Sequence, residues 1–287
     1  MSRHTKNTLN IAKLQGKSVQ ASFYQPSDTE MKTALLYFHG GGFVFGSRND
    51  LPKDYIELFM RAGIGIVAVD YPLAPETKFP TVLDVTHEIT EWFVENFLAE
   101  HKLDDYFIFG RSAGAFLALK NGAYTQNLSK QPTGIVSLYG YFNLNDASFT
   151  VPNRHYLQYP KVSDKIVSRQ IQKEPLLEAS DQNRYLVYMA SRQKGDWLNL
   201  FLSSSDQKRE HSMKKEDIKD LPPLFISASK QDPDIPSRQS RQLANAHDQA
   251  ILHLVDVPEH DFDRTHLDTL GKKLYEKITN WMLTFLP

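Results

Sequence analysis

The sequence predicts an α/β fold: a mostly parallel central sheet flanked by helices, in one domain with an inserted helical cap. Three observations point there. Short apolar runs rich in β-branched and aromatic residues recur at 35–38, 64–69, 106–109, 135–139, 224–227 and 252–255, as strands buried on both faces require. Segments with helical spacing lie between several of them, and strands alternating with helices imply a parallel sheet covered on both sides. The 287 residues, 41% of them hydrophobic, suffice for one large core.

In chain order, the alternation of Leu9 and Ile11, then Val19, Ala21 and Phe23, predicts antiparallel edge strands ahead of the parallel core. Leu51, Tyr55, Leu58 and Phe59 share one helical face, as do Val82, Val85, Ile89, Trp92 and Phe93. Residues 143–213 break this rhythm, with several Tyr, Arg and Gln and no clear buried strand, and read as an inserted, mostly helical cap. The last segment puts Leu274, Ile278, Trp281, Met282 and Phe285 on one face, which predicts a C-terminal helix docked on the sheet.

Composition removes several classes of function. The 33 basic and 34 acidic residues leave a net charge of -1 without a segregated block, so nothing favours a nucleic acid partner. There is no cysteine, which excludes disulfides, thiolate metal sites and a cysteine nucleophile. The start, Met1 to Asn7 and beyond, lacks the continuous apolar region of a secretory signal. No stretch approaches the ~18 to 20 apolar residues of a membrane span. The expectation is a cytoplasmic protein with a small-molecule partner and no membrane; the sequence leaves open whether it forms a homo-oligomer.

The chemistry concentrates at strand ends. After the 106–109 run come Gly110, Arg111, Ser112, Ala113 and Gly114, then an apolar helical stretch. Strand, sharp turn and helix are the context in which a serine projects as a nucleophile, with bare glycine backbone on either side. After the 35–38 run stand His39, Gly40, Gly41, Gly42 and Phe43. Three consecutive glycines are entropically costly, so something requires bare backbone there. Acyl transfer supplies a reason, because N–H donors must meet the oxygen that becomes negative. The donors are assigned to the backbone N–H groups of Gly41, Gly42 and Ala113, with His39 bracing the loop.

A serine nucleophile needs a base and an orienting acid, in the chain order Ser, Asp or Glu, His. Of the 10 histidines, His260 is the first to follow the final strand, in a loop ahead of the final helix. After the 224–227 run, Asp232 and Asp234 both qualify as the acid, and Asp232 is preferred because it comes first and the following Pro233 to Pro236 stretch resembles the turn that leaves it.

These residues carry a resemblance. With His39 to Gly42, the elbow at Ser112, and Asp70, Tyr71, Pro72, Leu73, Ala74, Pro75 and Glu76 followed by Phe79 and Pro80, the chain resembles the hormone-sensitive-lipase-like esterase branch of the α/β hydrolases. The resemblance implies an eight-stranded, mostly parallel sheet, a helical cap shaping the substrate pocket, and no cofactor. The chain departs from that family's usual pattern at Pro72 (Arg), Arg111 (Asp) and Asp261 (Gly). As a charged residue, Arg111 is expected to face solvent, with an interaction with acidic substrates as the alternative. The function expected is cleavage of small carboxylic esters through an acyl-serine, with short acyl chains because residues 143–213 are not strongly apolar. Amide or peptide hydrolysis by the same residues, and small-molecule binding without catalysis, remain open.

Overall fold

A computed structural model describes residues 4–180 and 182–287; residues 1–3, part of the stretch read for a signal, lie outside it. Eight strands form one sheet: β1 His4–Leu14, β2 Lys17–Pro26, β3 Thr33–Phe38, β4 Ile64–Val69, β5 Tyr106–Arg111, β6 Gly134–Leu138, β7 Leu224–Ser229 and β8 Ala250–Val255. Their spatial order is β1-β2-β4-β3-β5-β6-β7-β8. The six apolar runs are the six strands from β3 to β8, and these pair in parallel. The alternating N-terminal stretch forms β1 and β2, antiparallel to each other, with β2 antiparallel to β4.

Every residue of β3, β4, β5, β6 and β7 is buried, which is why they read as continuous apolar runs. Successive side chains point to opposite faces: Leu36 and Phe38 enter one core, Leu35 and Tyr37 the other. The helices Phe79–Trp92 and Ala113–Tyr124 bring Val82, Ile89, Phe116 and Leu117 to the first core. The helices Lys53–Arg61 and Lys272–Leu283 bring Tyr55, Phe59, Leu274 and Ile278 to the second. Phe285 departs from the expected docking face. The last helix ends at Leu283, and Phe285 is exposed, with its ring edge-on to Trp281 and to Phe107 of β5.

Residues 143–213 contain the helices Asp164–Gln170, Gln182–Lys194, Trp197–Phe201 and Gln207–His211. Their backbone meets the rest of the chain through isolated bridges, Gly46 with Ala179 and Leu73 with Leu176. Among the described residues no helix is long and apolar enough to cross a membrane. Because β3 and β5 to β8 run in parallel, the segments after Phe38, Arg111, Ser229 and Val255 all leave from one edge of the sheet. That shared edge is where the residues singled out by sequence meet.

Candidate active site

β5 ends at Arg111 and the next helix begins at Ala113, so the whole reversal falls on Ser112. Its φ of 51° and ψ of -115° are strained for a residue with a side chain. The flanking glycines permit it by close approach. A Cβ on Gly110 would lie 2.0 Å from the Gly114 carbonyl oxygen, and one on Gly114 would lie 2.1 Å from the Phe38 carbonyl oxygen.

Three side chains line up from this turn. Ser112 Oγ lies 2.9 Å from His260 Nε2, and His260 Nδ1 lies 2.6 Å from Asp232 Oδ2. The Asp232 side chain is fully buried, and its other oxygen accepts the backbone N–H groups of Asp234 at 2.8 Å and Ile235 at 2.9 Å. Those two bonds turn the carboxylate inward. Burial alone would lower the pKa of His260, but the charge and hydrogen bond of Asp232, helped by Asp234 and Asp261, outweigh it and raise it to about 9.

Asp234, the other candidate acid, does not touch His260. Its Oδ1 accepts from Arg192 Nε at 2.9 Å, and its Oδ2 accepts from the hydroxyls of Tyr156 at 2.9 Å and Tyr188 at 2.6 Å. All four side chains are buried. Burial pushes the Asp234 carboxyl up, yet Arg192, His260 and the two hydroxyls hold it below the usual carboxylate range.

The loop after β3 runs against the turn at Ser112: a Cβ on Gly40 would stand 3.5 Å from Ser112 Cβ. Gly41 and Gly42 have φ of 110° and 59°. The backbone N–H groups of Gly41, Gly42 and Ala113 donate to no protein acceptor among the described residues. His39 is buried, donates from Nδ1 to the Gly40 carbonyl at 2.7 Å, and stacks on Tyr71 at 4.2 Å, in keeping with a bracing role. The Tyr71 hydroxyl donates to the His39 carbonyl at 2.8 Å, which gives the 70–76 run a part in holding this loop. Burial lowers the pKa of His39, favouring the neutral ring.

Arg111 corrects the sequence expectation. It does not face solvent: only 2% of its side chain is exposed, and it pairs with Asp263 at 3.0 Å and Asp50 at 3.4 Å while donating to the Tyr139 hydroxyl at 2.6 Å. Two carboxylates and a hydroxyl compensate its burial. Tyr139, Tyr188 and Asp263 were not singled out from the sequence, and only the Arg111 departure hinted that an acid had to lie nearby.

A pocket of about 730 Å³ opens over Ser112 and His260. Phe45 and Tyr139 line it, and residues 143–213 contribute Tyr156, Glu178, Tyr185 and Tyr188. Among the described residues there is no group of three or more His, Asp or Glu that could hold a metal ion.

A family model of the alpha/beta hydrolase fold matches residues 35–263, and the chain belongs to that family. A solved alpha/beta hydrolase superfamily protein from Enterococcus faecalis is 28% identical, with a TM-score of 0.86 over 97% of this chain and 98% of that one. A protein of unknown function from Staphylococcus aureus subsp. aureus Mu50 shares the fold, at 22% identity and a TM-score of 0.87 over 97% and 99% of the two chains. An acetyl esterase of Salmonella typhi is 27% identical over 134 residues, which is 45% of this chain and 41% of that protein. The match thus spans about two fifths of that curated relative's length.

Proposed function

We propose that the protein is a serine hydrolase that cleaves small carboxylic esters through an acyl-serine intermediate. The observation that carries this reading is the line Ser112–His260–Asp232, with contacts of 2.9 and 2.6 Å, beside three unengaged backbone N–H groups. Ser112 Oγ attacks the ester carbonyl while His260 Nε2 takes its proton, and Asp232 fixes the His260 tautomer and stabilises the imidazolium. The oxygen that becomes negative is held by the N–H groups of Gly41, Gly42 and Ala113. Collapse expels the alcohol, which receives the proton from His260. Water then gives His260 a proton as it adds to the acyl carbon, and the second collapse breaks the acyl bond to Ser112 Oγ, which takes that proton from His260 as the acid is released.

Residues 143–213 serve as a cap, supplying one wall of the pocket from their tyrosines. With Tyr156, Tyr185 and Tyr188 on that wall and, among the described residues, no aliphatic side chain from this segment, a short acyl group fits better than a long chain. The acetyl esterase relative supports the same reading. The test is hydrolysis of p-nitrophenyl esters from acetate to long acyl chains by the wild type and Ser112→Ala. The expected result is an optimum at short chains and a loss of more than about a thousandfold in the variant. Equal rates in the two proteins would overturn the mechanism.

A further inference from the structure

Ser112 and His260 are 148 residues apart in the chain, yet their reacting atoms must stay within hydrogen-bond reach. The residue before Ser112 and the residue three places after His260 are tied together inside the protein. Arg111 closes β5, and Asp263 lies in the short helix Phe262–Thr265 that follows His260. Both side chains are buried, and Arg111 Nη2 donates to an Asp263 carboxylate oxygen at 3.0 Å.

Tyr139, just beyond β6, fills the angle between them. Arg111 Nε donates to its hydroxyl at 2.6 Å, and that hydroxyl donates to Asp263 Oδ1 at 2.9 Å. The Tyr139 backbone has φ of 40°, a conformation that a bulky residue keeps only where its surroundings over-determine it. Its ring then stands edge-on to the His260 imidazole, with centroids 4.8 Å apart and planes at 64°. The Tyr275 hydroxyl donates to Asp263 Oδ2 at 3.1 Å and completes that carboxylate.

A buried ion pair is weak evidence for stability, since well-packed neutral replacements are often no less stable. What a guanidinium fork contributes is fixed geometry in two directions at once. Here the two directions are Asp263, on the segment that carries His260, and Tyr139, whose ring lies against it.

We propose that Arg111 is a positioning residue for His260, acting through its buried pair with Asp263 and the Tyr139 ring to hold the imidazole in reach of Ser112. This rests on the reading of Ser112 and His260 as nucleophile and base.

The test is the double variant Arg111→Met with Asp263→Asn, which removes both buried charges together, while Asp50, the other carboxylate beside Arg111, keeps its pair with Arg264 at 2.7 Å. The expected result is a cooperatively folded protein whose kcat falls about 10- to 100-fold while KM changes little, as a displaced base would produce. The rate at which a fluorophosphonate probe labels Ser112 falls with it. Arg111→Lys, which retains a charge for Asp263 but not the fork to Tyr139, recovers part of the loss. A folded double variant with wild-type kcat and labelling rate overturns the proposal. Should the double variant not fold, Tyr139→Phe decides: a severalfold loss of kcat at unchanged KM supports the brace, and wild-type kcat overturns it. Failure of the underlying reading looks different, because hydrolysis would then survive Ser112→Ala.

Discussion

Replacing Asp232 with Asn tests how the base of the proposed mechanism is tuned. Burial pushes His260 down and the Asp232 carboxylate, with Asp234 and Asp261, pulls it up to about 9 from an ordinary 6.5. A displacement of about 2.5 pH units corresponds to about 3 kcal/mol in favour of the imidazolium. The free enzyme therefore gains its neutral base late, and kcat/KM for a simple acetate ester, followed in a pH-stat, rises with pH toward a limb near 9. In Asp232→Asn the largest upward contribution is gone while burial remains, so the limb moves to lower pH. The plateau rate falls on the order of 10³- to 10⁴-fold, because nothing then enforces the tautomer. The sign for stability follows from the raised pKa: the contribution is complete below about pH 6.5 and is lost as pH rises through about 9. The wild type therefore loses up to about 3 kcal/mol across that window, and the variant's stability changes less there. A limb at the same pH in both proteins would refute this account of His260.

Other outcomes follow from the same geometry. Gly42→Ala places a Cβ 2.3 Å from the Tyr188 ring at a φ of 59°, so kcat is expected to fall about 100- to 1,000-fold, and Tyr188→Ala in the same chain should relieve the clash without restoring the backbone conformation. Asp234→Asn leaves the buried Arg192 without its countercharge, and chemical denaturation should show a loss of about 3 to 5 kcal/mol. Matched ester and anilide substrates should favour the ester; a faster anilide would redirect the assignment to amide hydrolysis.

How much of this was legible in the sequence depended on whether the signal was local. The strands β3 to β7 were readable because burial on both faces leaves an unbroken apolar run, β8 from its short apolar run although it is mostly part-exposed, and β1 and β2 because Leu9, Ile11, Val19, Ala21 and Phe23 alternate. Ser112, Asp232 and His260 each follow a strand closely, so topology brings them to one edge. Arg111 was misread because exposure is the rule for a lone charge, and its partner Asp263 is 152 residues away. Tyr139 and Tyr188 look like any core aromatics until their hydroxyls are seen on carboxylates. Asp232 stands apart from Asp234 in sequence by coming first and by the turn-like 233–236 stretch after it, and that turn folds the Asp234 and Ile235 N–H groups onto Asp232.

The loop after β7 answers to two parts of the molecule at once. Within three residues it carries the carboxylate that meets His260 and the carboxylate that grips Arg192, Tyr156 and Tyr188. Anyone reshaping the pocket by exchanging residues 143–213 for the corresponding piece of a relative would be altering that loop as well. A graft without an arginine in the place of Arg192 would strand a buried anion two residues from Asp232, and its first symptom would be a misaligned histidine rather than a wider pocket. The segment and the 232–235 loop are therefore best exchanged as one unit.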